Sequence, residues 1–317
     1  MKAIIVQKSG ASNVLQIKDV PEPKPGIDEI LIRNRYIGIN HGDILKRKRG
    51  DFKNPILGFE GVGEVIEAGK NTSFKIGDTV AYLTPYGAYA EFISVPAVQV
   101  FSFPSLIDSK FMAASICTGT TAWNLLEFSD ANADHALLVH GGAGGVGSSI
   151  LQLAHSRGIR TFATVGTLEK AEYASSCGAD VVILHTQEDF AQRVLMDTDN
   201  TGIDVIFDCV GNVVTAGNFR CIKNFGKWLY YGSISGPAIF DGRLILSKSI
   251  NLIGFVIFEM FNKPDLWKES TQAVIKALEK KILSPKIEIF AFSQIREAHN
   301  LIENRRLIGK AVIDVSK

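Results

Sequence analysis

Apolar and polar positions divide the chain into stretches of different rhythm. Up to about residue 115, short apolar runs alternate with turn residues, as in Glu29-Ile-Leu-Ile-Arg-Asn-Arg35, Gly61-Val-Gly-Glu-Val-Ile-Glu-Ala-Gly69 and Gly77-Asp-Thr-Val-Ala-Tyr82. Turns such as Pro21-Glu-Pro-Lys-Pro-Gly26 separate them, so this part predicts strands. From Ala136 the rhythm changes. Strands are predicted over 160–164, 181–184, 204–208 and 227–231, with helices over 146–156, 168–176 and 188–196 between them. Such alternation predicts an α/β unit with a doubly wound parallel sheet. The apolar segment 249–258 reads as its terminal strand, an edge that invites pairing with a second copy of the chain. A helix over 265–280 and a last strand over 310–315 return to the first domain. The expected division is therefore 1–118, 119–259 and 260–317.

One junction carries chemistry. In Ala136-Leu-Leu-Val-His-Gly-Gly-Ala-Gly-Gly-Val-Gly147 a buried strand runs into a turn with Gly142, Gly144 and Gly147 at G-x-G-x-x-G spacing, and a helix follows. The first glycine is expected to allow the tight turn. The second lets backbone approach a pyrophosphate, and the third lets the helix pack on the strand. The unpaired N–H groups at that helix start favour a phosphate anion. At the end of the next strand, an NAD site would place a carboxylate for the ribose 2′-hydroxyl. Here the tip carries Val165 and Gly166, with Thr167 and Lys170 at the head of the following helix, while Glu169 is expected to face solvent. A hydroxyl, a cation and free N–H groups suit a 2′-phosphate, so NADPH is the expected cofactor.

Composition changes this picture little. The 317 residues are 46% hydrophobic and 21% charged with a net charge of +1, which gives no global pull toward nucleic acid or an anionic membrane. The run 252–258 is far short of the roughly 20 residues of a membrane span. Met1-Lys-Ala-Ile-Ile-Val opens in a strand pattern rather than a signal peptide. Cys117, Cys177, Cys209 and Cys221 never form C-x-x-C and read as reduced thiols, so the cytoplasm is the expected location. The basic run Lys46-Arg-Lys-Arg49, with Phe52 nearby, has the composition of an RNA contact. A short charge run is ordinarily a solvated loop, and nucleic acid is not expected as a partner.

These residues carry a resemblance that runs nearly end to end. Gly38-Ile-Asn-His-Gly-Asp43, Gly58-Phe-Glu-Gly-Val-Gly63, Gly77-Asp-Thr-Val80, Gly87-Ala-Tyr-Ala-Glu-Phe92 and Gly119-Thr-Thr-Ala-Trp123 occur in order. Gly142-Ala-Gly-Gly-Val-Gly147, Asp204-Val-Ile-Phe-Asp-Cys-Val-Gly211 and Gly309-Lys310 complete the set. In this order they resemble the zinc-independent medium-chain dehydrogenase/reductases of the NADPH:quinone oxidoreductase, or zeta-crystallin-like, family. The resemblance implies a Rossmann domain inserted in a GroES-like partial β-barrel catalytic domain, with nicotinamide held in the cleft between them, and a homodimer.

It also implies residue roles. Asn40 and Thr121 would stand beside the nicotinamide as the catalytic pair, and Gly144, Gly145 and Val146 would line the pyrophosphate. Gly166, Lys170 and His185 would surround the 2′-phosphate. Val210, Gly232 and Arg305 would complete the cofactor groove. The zinc branch places a cysteine where this chain has Asn40 and a histidine where it has Phe59, and only Cys117 lies near the third ligand position. The four-cysteine lobe after Val80 is missing, and turn or core roles account for His41, Asp43 and Glu60 without an unusual metal site, so no metal is expected.

Without a metal, hydride transfer needs an acceptor that is already electron-poor, which points to quinones and α,β-unsaturated carbonyls rather than alcohols. Leu45 stands where some relatives have a tyrosine. Tyr82, Tyr86 and His41 are the candidate proton donors, and solvent could also supply the proton. Two alternatives stay open: an alkenal or enoyl-thioester reductase on the same scaffold, and a non-catalytic NADPH-binding sensor or interaction protein. The second would bind NADPH yet oxidise none of it with quinones or enones.

Overall fold

The computed structural model describes residues 1–50 and 52–317. It falls into two compact units, one of Met1–Thr120 with Phe258–Lys317, the other of Thr121–Ile257.

In the first unit Glu29–Gly38 is the organising strand. Glu60–Ala68 pairs along one side of it, and Phe92–Pro96 and Lys310–Asp314 share the other. Thr79–Leu83 and Val100–Ser102 continue the sheet beyond Glu60–Ala68, and Ile287–Ala291 lies parallel to Lys310–Asp314. Register shifts after Leu31 and Asn34 break simple alternation. Asn34 is buried in this region, and its amide donates to the Ala88 and Ala90 carbonyls while accepting from the Tyr82 hydroxyl at 2.7 Å. The last strand of the chain thus completes a sheet begun by residue 29, which puts Lys310 beside residues from the N-terminal third.

The second unit holds six parallel strands in the order Val181–Leu184, Arg160–Val165, Ala136–His140, Ile203–Asp208, Ile222–Tyr230, Asn251–Gly254. Numbered within the unit this is 3-2-1-4-5-6, and the chain reverses direction across the sheet between its first and fourth strands. Ligands of such sheets bind at that switch point, outside the carboxyl ends of the strands. Leu138, Phe162, Ile206 and Trp228 fill its core.

Three elements depart from the expected pattern. Ser109–Ser129 is one helix of 21 residues where strand-like text was expected up to about 115. Its interior residues are almost uniformly buried, so no amphipathic period marks it. His41–Arg49 is a helix, not a solvated loop. The expected strand 249–258 shrinks to Asn251–Gly254, because Ser249 adopts a left-handed conformation after the helix Gly242–Lys248 and Ile257–Asn262 coils into a 3-10 turn. Among the described residues, no helix is long and apolar enough to cross a membrane.

Candidate functional site

In the parallel-sheet unit, the glycine loop leaves Ala136–His140 beside the switch point and feeds the helix Gly145–Ser156. The work of the glycines is distributed differently from expectation. The left-handed residue of the turn is Gly141, at φ +68°, not Gly142, whose Cα instead faces Ala163 of the next strand. Gly147 packs so closely that a Cβ would overlap the Gly141 carbonyl oxygen and approach its carbon to 2.9 Å. At Gly144 a Cβ would meet the Gly141 oxygen at 3.3 Å and no other atom within 4 Å. The backbone at the helix start is thus bare on the side away from the turn, which suits an anion on its N–H groups.

At the neighbouring strand end, Thr167 caps the helix Leu168–Ser176 by accepting from the Lys170 N–H at 3.3 Å. A Cβ on Gly166 would lie 3.4 Å from His185 Nε2, so the imidazole rests against the glycine backbone. The structure therefore brings Gly166, Thr167, Lys170 and His185 to one place, with Glu169 exposed.

Across the switch point, Asp208 holds the turn that carries Val210. Its Oδ1 accepts from the Val210 and Gly211 N–H groups at 2.8 and 2.9 Å, and its Oδ2 accepts from Trp228 Nε1 at 3.1 Å. Burial raises this carboxyl above its ordinary range, against the pull of nearby His140 and these N–H groups. His140 is fully buried, and burial lowers its basicity. The Asn218 oxygen, 2.7 Å away, can only accept, so Nε2 carries the proton and Nδ1 accepts from Thr164 at 2.9 Å. Gly232 backs onto Cys209, whose Sγ lies 3.2 Å from where a Cβ on Gly141 would be. Val210, Gly232 and the glycine loop therefore adjoin. All four cysteines are free thiols.

In the antiparallel unit the residues gather around Asn40, at the start of the helix His41–Arg49. Glu60 is fully buried. Its Oε1 accepts from Asn40 Nδ2 at 2.7 Å and pairs with Lys310 Nζ at 2.6 Å, and its Oε2 accepts from the Cys117 N–H at 2.6 Å. The same ammonium donates to Asn40 Oδ1 at 2.6 Å, so both ends of that amide are fixed. Asp43, three residues on, accepts from the Asn40 N–H at 2.9 Å, from Gly58 N–H at 3.1 Å and from the Tyr89 hydroxyl at 3.0 Å. Burial pushes its carboxyl up to about 6, against these bonds and the nearby lysines.

Tyr89 also meets His299 Nε2 at 3.0 Å. With Tyr89 donating to ionised Asp43, His299 must donate from Nε2. Its Nδ1 then faces the interior without a partner, as do Nε and Nη1 of Arg47. The Arg47 side chain is fully buried and pairs through Nη2 with Glu303. The basic run is therefore not one solvated face: Arg47 points inward while Lys48 and Arg49 are exposed.

The proposed proton donors fare unequally. The Tyr82 hydroxyl is buried, committed to Asn34 and strongly raised by burial. His41 is lowered to about 4, mainly by burial with Lys48 and Arg305 adding to it, so it is neutral near pH 7. Tyr86 is half-buried beneath Lys46, at 3.5 Å from ring centroid to ammonium. Thr121 is buried within the long helix, and Arg305 follows the helix Ile295–Glu303 in a left-handed conformation. Among the described residues, no three His, Cys, Asp or Glu side chains are grouped to hold a metal ion. Nor do the residues around Asn40 suit zinc: an amide and a phenyl ring stand at two expected ligand positions, and an ammonium already neutralises Glu60.

The buried groups set a pH dependence. Burial lowers His299 to about 3, with Arg47 adding to it, so folding keeps it neutral. A depressed histidine contributes stability that is present above its unfolded value near 6.5 and lost as pH falls toward the folded one. Asp43, raised, acts oppositely and gains stability as pH falls through about 6. His41 and His299, both strongly depressed, lose more over this range than Asp43 gains, while the adjoining His140 and Asp208 are shifted in opposing senses. The thermal midpoint should therefore fall between pH 7.5 and pH 5, with His299 contributing about 2 kcal/mol. His299→Gln should flatten that decline, and parallel curves for the two proteins would refute the assignment.

Residues 145–279 match the zinc-binding dehydrogenase family, and residues 26–105 match the alcohol dehydrogenase GroES-like domain. A probable quinone oxidoreductase of Schizosaccharomyces pombe is 32% identical over 97% of this chain and 95% of its own length. A quinone oxidoreductase of Pseudomonas aeruginosa is also 32% identical, over 96% of each. The structure of Escherichia coli quinone oxidoreductase complexed with NADPH superposes with a TM-score of 0.95 at 26% identity, covering 99% of this chain and 100% of that one.

Proposed function

The chain is an oxidoreductase of the quinone oxidoreductase, zeta-crystallin-like family of medium-chain dehydrogenases/reductases, and from that premise we propose that it uses NADPH to reduce quinones or related electron-poor carbonyl compounds without a metal. The observation that carries the reading is the strand tip where Gly166, Thr167, Lys170 and His185 meet with no carboxylate among them, one strand from a bare glycine loop. Bound NADPH supplies the hydride from C4 of its nicotinamide ring.

The protein's residues hold and orient. The backbone of Gly142, Gly144, Gly145, Val146 and Gly147 takes the pyrophosphate, and Gly166, Thr167, Lys170 and His185 take the 2′-phosphate. In the parallel-sheet unit Val210 and Gly232 line the groove and Thr121 orients the nicotinamide. In the other unit Glu60 and Lys310 lock the Asn40 amide. Neither Tyr82 nor neutral His41 is suited to donate a proton near pH 7, which leaves Tyr86 and solvent to supply it after hydride transfer.

A turnover panel tests this. NADPH oxidation should proceed with 1,2- and 1,4-naphthoquinone, resist chelators and fail with simple alcohols. Turnover of alcohols alone, stopped by chelator, would overturn the reading. Lys170→Ala combined with His185→Ala should lower the preference for NADPH over NADH about 10- to 100-fold, since each charged hydrogen bond contributes about 1.5–3 kcal/mol before solvent screening. An unaltered ratio would remove both residues from the phosphate site.

The same proposal includes a cytoplasmic location, in keeping with four free thiols. It also includes a homodimer. Asn251–Gly254 ends the parallel sheet and pairs on one side alone, with Leu252 and Val256 exposed beside it. A second copy would extend the sheet there. Light scattering should give twice the 34.6 kDa of one chain, and a monomeric mass would dismiss the dimer.

A further inference from the structure

We propose, resting on the reductase reading above, that His140 and Asn218 are positioning residues: with Thr164 and Asp208 they form a buried chain of hydrogen bonds that fixes the Val210 turn against the nicotinamide half of the cofactor. Thr164 and His140 are partners on the adjacent parallel strands Arg160–Val165 and Ala136–His140, and Asp208 ends the next strand over. Asn218 lies on the helix Thr215–Cys221, and all four side chains are buried. The Thr164 hydroxyl donates to His140 Nδ1 at 2.9 Å, and Nε2 of that ring donates to Asn218 Oδ1 at 2.7 Å. Asn218 Nδ2 reaches Asp208 Oδ2 at 3.5 Å, the longest link, and Trp228 Nε1 donates to the same oxygen at 3.1 Å. Asp208 Oδ1 is thereby turned to the Val210 and Gly211 N–H groups.

Every bond of the chain points the same way, from Thr164 toward the carboxylate. His140 accepts one bond and donates the next only as a neutral ring with its proton on Nε2, and burial favours the neutral form. The other tautomer would aim a bare nitrogen at Asn218 Oδ1. A reversed Asn218 amide would set N–H against N–H and oxygen against carboxylate. A buried network with one fully satisfied arrangement is rigid. The imidazole is also wedged edge-on by Phe190 at 5.0 Å, and Phe190 fills the space that a Cβ on Gly217 would need.

The chain ends where the cofactor groove begins. Thr164 precedes the tip Val165-Gly166, and its carbonyl accepts from the Gly142 N–H at 3.1 Å. His140 precedes left-handed Gly141, and its carbonyl accepts from Cys209 Sγ at 3.4 Å. At the far end Asp208 holds the Val210 N–H, and the Val210 carbonyl accepts from Ser235 Oγ at 2.8 Å. With both backbone groups engaged, Val210 meets the cofactor through its side chain, which stands where the carboxylate puts it. Loosening the chain shifts the nicotinamide while the phosphates stay in place. The effect therefore belongs in kcat and in the affinity that the nicotinamide half adds, not in affinity for the phosphate half.

The experiment uses the full-length protein. Thr164→Val keeps the side-chain shape and removes the first donor, and Thr164→Ser restores it. With NADPH and 1,2-naphthoquinone, Thr164→Val should lower kcat about three- to tenfold, the range of one neutral hydrogen bond. Affinity for adenosine 2′,5′-bisphosphate, which carries the 2′-phosphate but no nicotinamide, should stay within about twofold, and Thr164→Ser should recover kcat. An unchanged kcat would make the chain a brace for folding alone and overturn the proposal. Equal losses of kcat and bisphosphate affinity would place the effect at the glycine loop and also overturn it. A second measurement needs no turnover: the ratio of NADPH affinity to bisphosphate affinity should fall about threefold in Thr164→Val and further in Asn218→Leu. Thr164→Val, which preserves volume, carries this test should Asn218→Leu fail to fold. An unmoved ratio would overturn the proposal even if quinone turnover is normal. A ratio that falls in a protein that reduces no quinone would uphold the chain and reject the reductase reading instead.

Discussion

Replacing Lys310 by methionine should destabilise the protein by about 3–5 kcal/mol, the usual consequence of stripping one partner from a buried ion pair. The Lys310 and Glu60 side chains are 4% and 0% exposed, so water cannot solvate the carboxylate left behind. Asn40 Nδ2 and the Cys117 N–H would remain as its partners, two neutral donors in place of a cation. The double variant Glu60→Gln/Lys310→Met removes the stranded charge and should regain most of the stability. Activity should not return with it. Lys310 also donates to Asn40 Oδ1, and without that bond the amide can turn over, so kcat should stay at least tenfold down while the melting midpoint recovers. Melting curves and steady-state turnover of both variants check the two halves separately. A single variant within about 1 kcal/mol of the wild type would show that the pair contributes little, as exposed pairs do. A double variant with full activity would show that Asn40 needs no such holding.

This pair also marks where sequence reasoning ends. The parallel-sheet unit was largely legible, because each strand and helix is a local pattern and the glycine spacing announces the phosphate loop. Even there, the turn residue is Gly141 rather than the first glycine of the motif, since the motif records spacing and not φ. In the other unit the decisive contacts are long-range. Glu60 and Lys310 are 250 residues apart, and Arg47 and Glu303 are 256 apart. Nothing local distinguishes Arg47 from Lys48 or Arg49, yet one is buried and the others are wet. The available signal was Asn40 followed by Asp43, an N-cap residue with an acid three positions later, which argues for a helix and hence for one inward face in the basic run. Glu60 offered another: an acid amid apolar residues of a central strand needs a buried partner, although nothing local says which cation supplies it. Tyr89 and His299 carried no such signal, because aromatic residues at core spacing look alike whether or not their polar atoms meet.

Two glycine substitutions three residues apart should separate phosphate binding from folding. Gly144→Ala should keep stability within about 1 kcal/mol, because its φ of −84° suits alanine and only the Gly141 carbonyl oxygen comes within 4 Å of the new methyl. The methyl would nevertheless occupy the bare backbone that the pyrophosphate must approach, so NADPH affinity should fall at least tenfold, or about 1.4 kcal/mol. Gly147→Ala behaves differently. Its methyl would overlap the Gly141 carbonyl and reach the Gly142 Cα at 3.0 Å, and neither backbone atom can rotate aside as a side chain would. The helix Gly145–Ser156 must then lift off the turn, which should lower both the melting midpoint and NADPH affinity. Gly242→Ala, with open space and ordinary helical backbone, controls for the cost of substitution itself. If the loop were an ordinary tight turn, Gly144→Ala would leave NADPH binding alone. Fluorescence titration with NADPH beside thermal melting decides the matter, since affinity and stability should part company at Gly144 and fall together at Gly147.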